Sequence, residues 1–555
     1  MTARNPSSIS LALTIIALVA LTSVLSASAA PPPKVGANVN VIQPGLLNNG
    51  DQNKLQQNEP SISIDPSNTN ILAASANDYR RSRFVSPASV WMGYYRSTDG
   101  GTSWANSLVP GFPGDSTPEG LASPVSGLAS SSDPVLAFDL QGNLYFSFIA
   151  FNAAGFPDTP GPLQENGVFV AKYGSHGASY QFTSTVSFNT ASLGVFDDKN
   201  WLTVDNNAGS PFNGRVYTCW SRFLGFAPPP TSLFGGIRVM FSFSADGGQS
   251  FSQPHIISDR GPDNSILIQD CGIAVAPDGT VYVSWVTFRS DNLFGPTPDS
   301  IGLAKSTDGG QTFSKVATVA TFNPVPRSDG SGRDCCAVFG FRTAREQQIA
   351  VDNSGNVFVA FDADSNPAPN FDSSGNIILG NIDADVFVSR STNGGSSFTT
   401  TNITANNVKR GVDEDEVFPS IAASAGRVEV AYYTDVNDPN QADDNQPSLA
   451  LNAGGPGPQA LVDVYDSFST DGGNSWTAIR VTDQSVNANW PMFRSGTIPF
   501  HGDYIQVASV GNVSHIAWTD NRNVVFTDPN LSTPGVEANN TGNRDQNIYT
   551  AQVTF

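Results

Sequence analysis

Apolar and polar residues alternate in short runs along most of this 555-residue chain. Ile237-Arg238-Val239-Met240-Phe241-Ser242-Phe243 and Asp385-Val386-Phe387-Val388-Ser389 show the period of two that places successive side chains on opposite faces of a β-strand. Other apolar runs come in pairs around a tight turn. Ile273 to Trp285 is broken by Pro277-Asp278-Gly279, and Ile349 to Phe361 by Asn353-Ser354-Gly355, so each pair predicts a hairpin. A third alternating run then leads into a Ser/Asp/Gly turn, and a fourth follows it. Each module therefore reads as four antiparallel strands.

The turn is the most regular feature. Ser97-Thr98-Asp99-Gly100-Gly101-Thr102-Ser103-Trp104 returns as Ser244 to Phe251, Ser306 to Phe313, Ser391 to Phe398 and Ser469 to Trp476, with a worn copy from Tyr173 to Tyr180. The spacing averages about 74 residues, a period that signals a repeat architecture. Its chemistry suits a stapled reversal: the Asp carboxylate accepts backbone N–H groups, Gly-Gly supplies positive φ, and the last aromatic tucks into the next strand.

Four antiparallel strands per repeat make a propeller blade. Units starting near Glu59, Asp133, Lys199, Asp270, Glu346, Phe418 and Gly502 predict an all-β, seven-bladed β-propeller over residues 30–555, or six blades if one module is a side sheet. The seventh unit stops at Phe555 after its third strand. Val39-Asn40-Val41-Ile42 is expected to supply the fourth, closing the ring and hiding two sheet edges.

Composition narrows the partners. Only 14 % of residues are charged, Phe is abundant at 35, and the net charge is −21. Such a chain repels phosphate backbones and anionic lipid surfaces, which disfavours nucleic acid and membrane partners. Residues 1–29 carry Arg4, an apolar run from Leu11 to Leu25 and Ala27-Ser28-Ala29, the plan of a secretory signal peptide. Secretion as a monomer is the expectation, and Cys219, Cys271, Cys335 and Cys336 can then pair in an oxidising compartment. A Cys219–Cys271 bridge between blades and a vicinal Cys335–Cys336 ring are both compatible with the spacing. Four cysteines allow three full pairings, and all stay open.

The repeated octapeptide resembles the Asp-box, or BNR, repeat of the sialidase superfamily. That resemblance implies a propeller with its boxes on the outer rim, between third and fourth strands. It also implies a family chemistry, cleavage of terminal sialic acid by a Tyr nucleophile that a Glu activates, with an Asp acid/base and three Arg clamping the substrate carboxylate. On the matching positions, Tyr504 is the nucleophile, Glu346 its activator, and Arg80 in Asp78-Tyr79-Arg80 one clamp. The chain departs from the family elsewhere. The Phe/Tyr-Arg-Ile-Pro signature is absent, no Asp lies between Arg81 and Arg96, and Asp362 stands where an Arg is expected.

Apart from the resemblance, the blade entries are unusually acidic. Glu59, Asp133, Asp270 and Glu346 share one aligned position, with Asp198 and Asp503 one step away. Second strands end on the same face with Asp78, Arg80, Arg222, Arg289, Asp362, Asp520 and Arg522. A carboxylate ring edged with arginines suits a glycan or glycoprotein ligand, with Ca²⁺ as a candidate ion. No His or Cys spacing supports a zinc site. Three function classes follow: glycan recognition at the channel face, a sialidase-type glycoside hydrolase, and a protein-binding scaffold.

Overall fold

The computed structural model describes residues 32–42, 55–81, 90–152, 165–190, 194–226, 236–258, 266–289, 298–326, 341–366, 378, 382–405, 414–438, 461–488, 500–524 and 545–555. Seven antiparallel sheets follow one another in chain order. Blade 1 consists of Gln57–Ile64, Leu72–Asp78, Trp91–Ser97 and Ala105–Leu108, each strand bonded to the next. Blades 2 to 6 repeat this order, with innermost strands Ser130–Phe138, Gly194–Val204, Ile266–Val275, Gln347–Val351 and Glu416–Ser424. The one α-helix among the described residues is Pro118–Ala122.

Blade 7 joins both ends of the chain. Gln506–Val510, Val513–Asp520 and Asn547–Thr554 are completed by Lys34–Val35, paired with Thr554 and Val553. Val39–Asn40 then pairs with Thr550 and Tyr549, and the Val41 N–H reaches the Ile548 carbonyl at 2.9 Å. The closing strand thus starts five residues earlier than expected and is split in two.

The core is a set of seams rather than one centre. Each of the seven blade-to-blade contacts buries its own apolar cluster. Tyr217 and Phe241 of blade 3 meet Ile273 and Val283 of blade 4, while Ala517 and Ile548 of blade 7 meet Ile62 and Leu72 of blade 1. The second of these clusters closes the ring. Cys219 and Cys271 form a disulfide across the seam of blades 3 and 4, with Cα atoms 6.3 Å apart. Cys335, Cys336 and residues 1–29 lie outside the described residues.

The repeated turns share one bonding pattern. Ser97 accepts from the Gly101 N–H at 2.9 Å, and Asp99 takes the Ser103 N–H and O–H at 2.9 and 2.6 Å. The turns at Ser244, Ser306, Ser391 and Ser469 repeat it, with Asn393 in place of Asp in one. All five lie between third and fourth strands. Three of the five also serve as latches between blades, which the sequence did not reveal. A cation of the preceding blade bonds the carbonyl at the fourth position of the turn: Lys172 to Gly247 at 3.0 Å, Arg215 to Gly309 at 2.6 Å and Lys305 to Gly394 at 2.8 Å. The worn copy is held the same way, by Arg96 on the His176 carbonyl at 2.7 Å.

Candidate functional site

The aligned blade entries prove to be a structural device. The innermost strand of blade 1 slips register between Asn58 and Ser61, and the same break recurs at Ser132/Val135, Asp198/Trp201, Gln269/Gly272 and Val417/Ser420. Such bulges re-aim a side chain out of the ladder. At each break sits one residue with left-handed backbone: Glu59 (φ 56°), Asp133 (58°), Lys199 (49°), Asp270 (60°) and Phe418 (59°). In blade 7 the ladder resumes at Gln506, which puts Tyr504 at the matching place, and Gly502 takes φ 85° two residues before it. The re-aimed N–H groups bond back to the preceding blade, Asp133 to Asn77 Oδ1 at 3.1 Å, Lys199 to Asp133 Oδ2 at 3.0 Å and Phe418 to Asp362 Oδ2 at 3.1 Å.

These entries converge. Lys199 Nζ lies 2.5 Å from Glu346 Oε1 and 3.5 Å above the Tyr504 ring centroid. Burial alone would favour its neutral amine, but Glu346, Asp270, Asp133 and Glu59 outweigh that and hold the ammonium charged. Glu59 accepts from Asn77 Nδ2 at 2.7 Å, and Asp503 pairs with Arg342. Burial, then Asp503 and Asp133, push the Glu59 carboxyl well above the ordinary range. Burial likewise raises Asp198, helped by Asp133, and Glu346, against the pull of Lys199.

Tyr504 is 6 % exposed and its hydroxyl is buried with no hydrogen-bond partner. Burial, followed by Glu59, Asp133 and Glu346, keeps the phenol protonated. The cluster therefore offers both donors and acceptors, from six carboxyl groups around Lys199, Arg342 and Tyr504. Asp503 and Arg342, about a quarter exposed, mark its open side.

Neither a family model nor a curated protein matches the chain. Solved structures do. An alpha-L-arabinanase of Penicillium chrysogenum complexed with arabinobiose shares 12 % identity over 72 % of this chain and 94 % of that one, TM-score 0.40. A PL25 ulvan lyase shares 11 % over 87 % and 93 %, TM-score 0.43. The phage phi92 endosialidase shares 8 % over 94 % and 69 %, TM-score 0.44. The chain is a seven-bladed propeller. At these identities the likeness is one of fold.

The propeller gathers Glu59, Asp133, Asp270, Glu346 and Tyr504 into one cluster. Glu346 bonds Lys199 rather than the Tyr504 hydroxyl. The second-strand ends behave differently. Arg80 bonds Asp78 at 2.5 Å and Tyr95 donates to Asp78 at 2.6 Å. Arg222 bonds Asp197 at 2.7 Å, and Arg522 bonds Asp520 and Asp483, both at 2.8 Å. Three arginines are thus bound to carboxylates of their own neighbourhood. Asp362 is buried at the seam of blades 5 and 6, and burial pushes its carboxyl up to about 7. Arg289 closes its strand opposite Ile266, and its side chain lies outside the described residues. For calcium, no group of three or more His, Cys, Asp or Glu with metal-holding geometry occurs among the described residues.

Lys199, Asn77 and Arg342 are the parts the sequence reading did not assign to the site. A lysine in a column with four acids was the available signal for the first. Arg342 precedes the repeat unit and had none.

Proposed function

We propose that this chain is an exported, Asp-box-type propeller that recognises glycans at its axial cluster, and that the sugar it takes there is neutral. One observation carries the reading: a buried phenol hydroxyl without a partner, ringed by carboxyl groups and a lysine, at the opening where the blades meet. Carboxylates accept sugar hydroxyl protons, while Tyr504 and the protonated carboxyls donate. An anionic sugar is disfavoured, because the acids outnumber the two cations and Arg80, Arg222 and Arg522 already bind carboxylates. This departs from the sialic-acid clamp that the resemblance implies. The leader-like residues 1–29 and the Cys219–Cys271 bridge support export, since disulfides persist in oxidising compartments.

Glycoside hydrolysis is the second reading, and one feature favours it. Glu59, whose burial and acidic neighbours favour the protonated form, can give a proton to a leaving group.

A glycan array followed by calorimetry tests the binding. Neutral glycans should bind and sialosides should not, and Tyr504→Phe, which removes only the hydroxyl, should weaken binding about tenfold. Aryl glycosides of neutral sugars test for turnover. Binding that survives both Tyr504→Phe and Lys199→Met unchanged would remove the axial cluster from the function.

A further inference from the structure

Three of the rim turns rest on the same pair of residues from the blade before. In blades 2, 4 and 5 an aromatic residue of the second strand stands opposite a cation of the third: Tyr145 and Lys172, Tyr282 and Lys305, Phe358 and Arg390. The ring lies under the second glycine of the next blade's turn. A methyl group placed on Gly248 would be 3.0 Å from Tyr145 Cε1, one on Gly395 3.3 Å from Tyr282 Cε1, and one on Gly473 3.1 Å from Phe358 Cε1. The cation bonds the same turn, at Gly247, Gly394 and Asn474.

The seam of blades 7 and 1, where the ring closes, breaks this pattern at both members. Its cross-strand pair is His515 and Gln552. The imidazole takes the place of the aromatic ring, with Cε1 3.2 Å from a methyl group placed on Gly101. Gln552 takes the place of the cation, and its amide donates to Thr554 Oγ1 at 3.2 Å rather than to the turn.

His515 is 1 % exposed, and neither ring nitrogen has a hydrogen-bond partner among the described residues. Among those residues no charged group faces it. Asp99, the one ionisable residue of the turn, gives its carboxylate to Ser97 and Ser103. The flanking strands set Ala508 and Gln552 beside it, and blade 1 brings Leu72 to the same glycine. Arg427 and Glu429 bond Ser514 at 3.0 and 2.7 Å on the other face of blade 7, with Asp466 beside them. Lys34 of the closing strand is exposed.

A neutral imidazole can be buried in such a place, but an imidazolium brings two donors and a charge with no acceptor to meet them. Burial accordingly pushes the His515 pKa down to about 4. We propose that His515 makes the closing seam an acid-sensitive joint, at which protonation of the imidazole parts blade 7 from blade 1. The same seam sets Gly502 against Glu59, whose backbone nitrogen lies 2.9 Å from a methyl group placed on that glycine, so its opening also parts the axial cluster. The joint rests on the rim contact and holds whatever that cluster binds. Free histidine titrates near 6.5, so the stability that neutral His515 preserves is whole above that value, fades on acidification and is gone below about pH 4.

Urea unfolding of the native chain and of His515→Phe, which copies the ring of blade 5, tests the joint. Between pH 7 and pH 5 the native folding constant should fall about 20-fold relative to that of the variant. Hydrogen exchange on the native chain gives a test that needs no variant. After correction for intrinsic rates, protection of the Gly101 N–H, bonded to Ser97 Oγ, should fall about 20-fold more over that range than protection of the Gly248 N–H, bonded to Ser244 Oγ at the Tyr145 seam. The inference is overturned if the two amides keep the same ratio at both pH values, or if folded His515→Phe follows the native chain's pH dependence.

Discussion

Replacing Lys199 with Met tests whether the blade entries meet at all. The ammonium lies 2.5 Å from Glu346 Oε1, and both side chains are largely buried. At that separation the attraction is about 7 kcal/mol for an effective dielectric near 20, before desolvation is subtracted. Removing one partner of a buried pair leaves the other charge uncompensated and costs about 3–5 kcal/mol. Met keeps the length and apolar stem, so little of this is lost packing. The cost must also depend on pH. Glu346 in the folded chain titrates well above its ordinary 4.5, so its contribution to stability is full below that value and is lost as pH rises through the folded one. Without Lys199 the folded value climbs further. Urea unfolding of native and variant chains should show a loss of up to about 3–5 kcal/mol at pH 8, which shrinks at pH 5 as Glu346 takes up its proton. Adding Glu346→Gln should recover most of the pH 8 loss, as expected of directly coupled residues. A loss under about 1 kcal/mol at both pH values, or one that does not change with pH, would mean that the ammonium is not enclosed by carboxylates, and the axial cluster would fall with it.

The other predictions concern the frame. The Asp362 carboxyl titrates near 7 in the fold against 3.8 when free, so its burden is absent below about pH 4 and complete above about pH 7. Asp362→Asn, which retains an acceptor for the Phe418 N–H, should raise stability by about 4 kcal/mol at pH 8 and leave it unchanged at pH 4, read from urea midpoints at both. The Cys219–Cys271 bridge spans 52 residues of sequence, and the Cys219→Ser/Cys271→Ser pair should lose about 4 kcal/mol by chain entropy. Melting with and without reductant checks this, and an unchanged melting temperature would contradict it. Lys305→Met removes the bond to the Gly394 carbonyl and should cost about 1 kcal/mol. Hydrogen exchange should rise first in the turn from Ser391 to Ser397.

The fold was legible because its signals are local. Period-two alternation and a stapled turn need only a few neighbours to form, so the blade count and even the aligned entry position could be read from the chain. The bulge explains why that alignment worked, since it fixes Glu59, Asp133, Lys199 and Asp270 at one register in their blades. Side-chain destinations were less legible. Asp78 and Arg80, like Asp520 and Arg522, stand two residues apart, where side chains of an extended chain share a face and meet each other first. That spacing could have assigned them to pairing within their blades. Nothing local could join Lys172 to Gly247, or select Cys219–Cys271 from three pairings, because those depend on how one blade stacks on the next.

One blade acts as an internal control on the acids. The left-handed entry costs of order 1–2 kcal/mol in any residue but glycine. Blade 6 offsets that cost with Phe418, whose ring packs near Phe341 and Tyr433. The propeller can therefore be built with an apolar side chain at this position. Glu59, Asp133 and Asp270 accept the same backbone strain, and Glu59 is buried and raised by its acidic neighbours as well. Asp133 also serves the frame, since its Oδ2 accepts the Lys199 N–H, and Glu59 holds the Asn77 amide that accepts from the Asp133 N–H. Strain and charge repulsion are held together at one point, where Phe418 shows an uncharged solution in a neighbouring blade, and the proposed glycan site would account for both.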